Sequence, residues 1–194
     1  MKPLIAIAGG IGCGKSVVSH ILTALGYRVY DSDSRAKTLM DNDNGIKAAI
    51  ACEISPEAIT PSGQIDRKRL GAIVFADKEK LQRLNSIVHG AVKSDIAAWR
   101  KRHPAEPLWV ESAIIYESGI SEMVDEVWEV TAPEDIRINR VVKRNNLSPQ
   151  EVKLRIAAQA VTVASPHERV FTILNDGVQP LLPQVLNLLS GISR

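Results

Sequence analysis

Cysteine is scarce: Cys13 and Cys52 are the only two among 194 residues, with no Cys-x-x-Cys pair and no histidine cluster at zinc-ligand spacing. That argues against a disulfide-stapled scaffold and points to a reducing compartment, so a cytoplasmic location is expected. Aromatic residues reach only 4%, which leaves no stacking platform of the kind single-stranded nucleic acid needs. Neither sign of charge dominates. With 24 Lys and Arg against 22 Asp and Glu, a net +2, there is no long phosphate-tracking surface, and no nucleic-acid partner is expected. Long apolar runs are missing too: the first, residues 4–8, stops at Gly9 and Gly10. It falls short of a signal-peptide core and far short of a membrane span, so a soluble chain with no membrane partner is expected.

With 45% apolar residues, a chain of this length removes roughly 70% of its unfolded surface from water and needs no staple to hold a core. Leu4-Ile5-Ala6-Ile7-Ala8 is a continuous apolar run closed by glycines, the pattern of a strand buried on both faces of a parallel sheet. Residues 15–25 read as a helix, with Val18, Ile21, Leu22 and Leu25 on one face and Gly26 as its stop. A second strand is expected at 27–31 and a helix with a polar start at 32–40. Residues 41–63 hold Gly45, Pro56, Pro61 and Gly63 and read as loops and short helical pieces. Residues 66–103 read as helical throughout, with Leu70, Ile73, Val74, Leu81, Leu84, Val88, Val92, Ile96 and Trp99 at helical spacing. Strands return at 107–111 and 126–131. Helices follow at 133–144 and 148–159, where Pro149 comes after a Ser cap, then a strand at 170–174 and a closing helix at 180–189. The expected fold is α/β: a five-stranded parallel sheet flanked by helices, with one helical insertion.

Gly9-Gly10-Ile11-Gly12-Cys13-Gly14-Lys15-Ser16 sets a glycine, four residues and Gly-Lys-Ser between a buried strand and a helix, the phosphate-loop pattern. Glycines let successive N–H groups turn inward with no Cβ in the way, and a helix starting at Lys15 adds its positive dipole end. Gly10, Ile11, Gly12, Cys13, Gly14 and Val17 are therefore expected at a bound triphosphate. Lys15 would act as a point charge on the β and γ phosphates, and the Ser16 hydroxyl as a Mg²⁺ ligand. Tight packing alone would account for the glycines but not for the Lys-Ser that follows them.

Asp31 and Asp33 come just after the second strand, at the carboxyl edge where open α/β sheets bind ligands. A carboxylate there can orient or deprotonate an acceptor hydroxyl. Asp31 serves equally well as the cap of the next helix, which leaves Asp33 as the better candidate base. Glu111 ends a strand where many P-loop proteins hold Mg²⁺, or where a charge simply meets solvent. Residues 137–155 carry Arg137, Arg140, Lys143, Arg144, Lys153 and Arg155 against the single acid Glu151. Such a helical pair suits a lid closing over phosphates, while a solvated helix face accounts for most of these cations.

In order along nearly the whole chain, several marks resemble the dephospho-CoA kinase family. They are Gly9 to Ser16, the Asp31-Ser32-Asp33 triplet after a Val-Tyr strand, Gly63-Gln64-Ile65-Asp66-Arg67 leading into Leu70 and Phe75, His89, the segment at Glu117, Arg140 with Arg144, Arg155-Ile156-Ala157-Ala158-Gln159, and Asn175. The resemblance implies a P-loop nucleotide-kinase fold with a core (about 1–33, 105–135 and 168–194), a helical acceptor-binding insertion (about 34–104) and a lid (about 136–167). It implies ATP-dependent phosphorylation of the ribose 3′-hydroxyl of dephospho-coenzyme A, the last step of coenzyme A synthesis, with Mg²⁺ as cofactor. ATP and dephospho-CoA are then the small-molecule partners, and a monomer or weak oligomer is expected. By the same resemblance Asp33, Lys15 and Arg140 are the catalytic residues. Arg140, Arg144 and Asn175, the last near the adenine end, join the ATP site, and Asp33, Arg67, His89 and Glu111 the acceptor site.

The sequence departs from the family pattern in four places. Gly90 follows His89 where Pro is usual, and Val17 stands where Thr is common. Glu111-Ser112-Ala113-Ile114-Ile115-Tyr116-Glu117 replaces Asp-x-Pro-Leu-Leu-Phe-Glu, and Arg169 is the only Lys or Arg between Gln159 and Asn175. The rival readings are another small-molecule or nucleoside kinase, which the acceptor pocket formed by residues 66–103 would separate, and a nucleotide-dependent switch. Against the switch stands the lack of a guanine-reading Asn-Lys-x-Asp segment.

Overall fold

The computed structural model describes residues 2–160 and 167–192, with Ala160 described by its main chain only. In chain order the elements begin β1 (Leu4–Ala8), α1 (Lys15–Ala24), β2 (Arg28–Asp31), α2 (Ser32–Asn42), α3 (Asn44–Glu53), α4 (Arg67–Ala76) and α5 (Lys78–Arg102). They continue with β3 (Leu108–Glu111), β4 (Glu126–Thr131), α6 (Glu134–Asn145), α7 (Pro149–Ala160), β5 (Val170–Leu174) and α8 (Leu181–Ser190). The chain divides into two compact units, Met1–Asp31 with His103–Arg194, and Ser32–Arg102. No helix among the described residues is long and apolar enough to cross a membrane.

The first unit carries the five-stranded sheet, in the order β2-β3-β1-β4-β5 and parallel at every pairing. β1 lies at its centre with all five residues buried, which is why its sequence is an unbroken apolar run rather than an alternating one. Beneath it Trp109 and Trp128 meet edge-on, ring centroids 5.7 Å apart, and Tyr27 meets Trp109 in the same way at 4.7 Å, the geometry that ring quadrupoles favour. Val18 and Leu22 of α1 and Val185 of α8 close over this core. α1 stops where expected: Gly26, at φ 90°, donates its N–H to Thr23 O at 3.0 Å. Parallel register sets Ile7 and Asp31 opposite Glu111, so the carboxyl ends of β1, β2 and β3 lie level with one another beside the loop that leaves β1.

α6 and α7 form a hairpin with its own small core of Val141, Val152 and Ile156. The Ser cap of α7 is a reciprocal box. Glu151 N–H donates to Ser148 Oγ at 3.3 Å, and the Ser148 N–H and hydroxyl donate to Glu151 Oε2 at 2.8 and 2.7 Å.

The second unit departs from expectation in two respects. Residues 41–63 are not mainly loop: they contain the ten-residue helix α3. Asp43 Oδ1 caps it by accepting the N–H groups of Gly45 and Ile46 at 2.7 and 3.1 Å. Ile46, Ile50 and Ile54, four residues apart, then bury one face against Leu70 and Val74. The helical stretch from 66 is interrupted once, at Asp77, whose carboxylate accepts from the N–H groups of Glu79 and Lys80 and opens α5.

Candidate active site

Residues 9–14 join β1 to α1 in a tight turn, with Cys13 N–H on Gly10 O at 3.3 Å. Gly14 precedes α1 at φ 93°, and among the described residues no side chain caps this terminus and no acid sits in its first turn. No side chain among the described residues competes with an anion for this terminus, and the helix dipole favours one there. Only glycine serves at 14. Its φ is left-handed, and a Cβ there would run into the Asn175 carboxamide nitrogen. Lys15 Nζ arches back over the turn, donating to Gly9 O at 2.8 Å and Gly10 O at 3.5 Å.

The outer side of the loop is braced by side chains. Arg137 Nε donates to Ile11 O at 3.0 Å, Arg140 Nη1 to Gly12 O at 3.4 Å, and Asn175 Nδ2 to Cys13 O at 2.8 Å. Arg140 Nη2 also donates to Asn175 Oδ1 at 3.0 Å, linking two of the braces. A trans peptide points its N–H away from its C=O. Fixing three successive carbonyls in this way directs the N–H groups of Gly12 and Gly14 to the opposite side, as a phosphate cradle requires, while that of Cys13 closes the turn on Gly10 O.

Ser19, buried on α1 one turn beyond Ser16, donates its hydroxyl to Glu111 Oε2 at 2.6 Å, so the strand-end carboxylate is tied to the same helix that presents Ser16. A serine hydroxyl and a carboxylate are hard oxygen donors of the kind Mg²⁺ takes, with phosphate oxygens and waters completing its shell. Among the described residues no three His, Cys, Asp or Glu gather as an all-protein metal site, so a cation held here would depend on bound phosphate. Beside Gly9 and Gly10 opens a cavity of about 350 Å³ lined by Tyr116, Glu117, Glu129, Thr131, Arg137 and Gln159. Burial, and then the Glu129 charge, push the Tyr116 hydroxyl above its ordinary value.

Residues 3–179 match the family model of dephospho-CoA kinase. The chain belongs to the dephospho-CoA kinase family. It is 37% identical over 193 residues to the dephospho-CoA kinase of Porphyromonas gingivalis, covering 97% of this chain and 93% of that one. It is 35% identical over 187 residues to that of Bacteroides fragilis, covering 96% and 91%. Among solved structures it is similar to the crystal structure of TT1252 from Thermus thermophilus, with a TM-score of 0.81 and 30% identity over 100% of this chain and 99% of that one.

In this dephospho-CoA kinase family member, residues 10–17, Arg140 and Asn175 come together around one loop, with Glu111 tied to α1. The Asn175 carboxamide is engaged at both ends by main chain and Arg140, so its work in this structure is to hold the loop. Arg144 stands apart: it is exposed and bonds Asn145 Oδ1 at 2.8 Å. In the second unit Asp33 lies in the first turn of α2. Arg67 opens α4 and pairs with Asp41 at 2.7 Å on the surface, and His89 sits half-buried within α5. Sequence reasoning did not single out Ser19, nor did it pick Arg137 from its basic stretch or give Gln159 a role. For Arg137 a signal existed, since Arg137, Arg140 and Arg144 fall on one face at i, i+3 and i+7. Nothing in the sequence marks Ser19.

Proposed function

We propose that this protein transfers the γ-phosphoryl group of ATP to the ribose 3′-hydroxyl of dephospho-coenzyme A, yielding coenzyme A. The observation that carries this reading is the braced glycine loop ending in Lys15 and Ser16, in a chain that matches the family over residues 3–179. Lys15 and the loop N–H groups bind and orient the polyphosphate, and Arg140, already at the loop, spreads positive charge toward it. Asp33 holds the acceptor hydroxyl in line and takes its proton as the new P–O bond forms. Ser16 and Glu111 would hold Mg²⁺, which when bound offsets charge on the β and γ phosphates.

The helical insertion (about 34–104) would carry the acceptor, with Arg67 and His89 in contact with it, and the basic α6–α7 segment (about 136–167) would form the lid, with Arg144 and Asn175 at the nucleotide. Two cysteines support a cytoplasmic enzyme and a near-zero net charge speaks against a nucleic-acid partner; we take the protein to be a monomer or weak oligomer with no membrane partner.

The test is incubation with Mg²⁺, ATP and a panel of hydroxyl acceptors, reading product mass. A gain of one phosphate on dephospho-coenzyme A, with none on free nucleosides, is expected. Phosphorylation of a nucleoside instead would replace this reading with its nearest rival.

A further inference from the structure

Ile11 is held by the α6–α7 hairpin at every point where it can be held. Its N–H donates to Gln159 Oε1 of α7 at 2.7 Å, and its C=O accepts from Arg137 Nε of α6 at 3.0 Å. Its side chain packs onto the hairpin core of Val141, Val152 and Ile156. Gly10 lies flush against the same pair: a Cβ there would strike the Arg137 guanidinium and come within 3.2 Å of Gln159 Oε1. Ile11 is therefore the hinge point at which a hairpin distant in sequence grips the phosphate loop.

We propose that Gln159 and Arg137 are positioning residues of the phosphate loop: together they fix the Ile11 peptide, so the loop keeps its phosphate-ready shape only while the α6–α7 hairpin is docked on it. This rests on the ATP site argued above. A carboxamide suits the task because it accepts an N–H without bringing a negative charge toward phosphate, as a carboxylate would. Linkage makes the effect reciprocal: whatever the docked hairpin adds to ATP affinity, bound ATP adds to hairpin docking.

The experiment combines calorimetric ATP titration with hydrogen exchange at the Ile11 amide, on the full chain. In the wild type the amide is expected to be protected, and more so with Mg²⁺-ATP. Gln159→Leu should lose that protection and bind ATP about tenfold more weakly, the size of one hydrogen bond. Its kcat should stay near wild type, which separates a positioning role from contact with the transferred phosphoryl. Gln159→Glu should keep the protection in the absence of nucleotide yet still bind ATP more weakly, and Arg137→Lys, which loses the planar fork, supplies an independent variant with the same expected weakening. If Gln159→Leu binds ATP as tightly as the wild type, or its Ile11 amide exchanges no faster, this proposal is overturned and the kinase reading stands. If the wild type binds no ATP, both fall.

Discussion

Removing Asn175 should loosen the phosphate loop more than any other single change outside it. The residue is 7% exposed, and its carboxamide donates to Cys13 O at 2.8 Å while accepting from Arg140 at 3.0 Å. Asn175→Ala deletes both bonds and leaves the carbonyl of buried Cys13 without this donor. An unsatisfied buried acceptor costs about 1–3 kcal/mol and an ordinary hydrogen bond about 1 kcal/mol, for a total of about 2–4 kcal/mol. A penalty carried equally by the free and the bound protein costs no affinity, but where the free loop relaxes to escape it, bound ATP must restore the braced shape; at about 1.4 kcal/mol per tenfold, full relaxation should lower ATP affinity by about 30-fold to several-hundred-fold. Asn175→Asp should be worse: it keeps the acceptor for Arg140 but sets a carboxylate oxygen against the Cys13 carbonyl and adds a negative charge beside the cradle. Calorimetric titration with Mg²⁺-ATP reads both variants, with thermal unfolding run alongside to separate loop disorder from loss of the fold. An Asn175→Ala protein that binds ATP within twofold of wild type would refute the reasoning that outer braces shape the loop.

Lys15→Ala should lower turnover by at least about a hundredfold, whereas Asp33→Asn should leave ATP binding intact and abolish coupled ADP release, since only the acceptor's proton loses its destination. Near-normal turnover by Asp33→Asn would remove Asp33 as the base. Ser19→Ala removes one hydrogen bond from Glu111 and should weaken Mn²⁺ binding to the ATP complex by several-fold in electron paramagnetic resonance, with metal-free ATP binding unchanged; equal Mn²⁺ affinity would show that the hydroxyl positions nothing. The Glu151 carboxyl is held below its ordinary value of 4.5, first by the Ser148 side chain and then by its N–H. The support it gives α7 is therefore full above that value and lost as pH falls through the lowered one. The thermal midpoint of wild type minus that of Glu151→Gln should accordingly be positive at neutral pH and shrink on acidification. A difference that stays constant would contradict the cap assignment.

The core of the fold was legible because its signals are local. Residues 4–16 state a buried strand, a glycine turn and a helix start within one short stretch, and the Val and Trp of β3 and β4 mark strands without any partner. α3 was harder to see. Asp43, Asn44 and Gly45 look like loop, and the cap geometry that makes Asp43 a helix start is apparent only once Ile46, Ile50 and Ile54 are seen burying one face. In the site, the turn that carries Lys15 and Ser16 was legible because its glycine spacing is local, and Asp33 was singled out by chemical type and position after a strand. The bracing contacts were not: Arg140 and Asn175 were named only for the nucleotide, Arg137 was not picked from its basic stretch, and Gln159 was given no role. Gln159 reaches Ile11 across 148 residues and Asn175 reaches Cys13 across 162, and such contacts arise from the path of the sheet and hairpin, which no local pattern encodes. Ser19 was invisible for a simpler reason: a serine on a buried helix face reads as a small core residue until a carboxylate is found 2.6 Å away.

The most direct measurement is phosphorus and proton NMR of the product formed from Mg²⁺-ATP and dephospho-coenzyme A, which locates the new phosphate on the sugar. The expected result is a single phosphomonoester coupled to the ribose 3′ proton, formed together with ADP. ATP hydrolysed with the acceptor unchanged, or phosphate carried on any other hydroxyl, would contradict the claim that this chain delivers the γ-phosphoryl group to the 3′ oxygen.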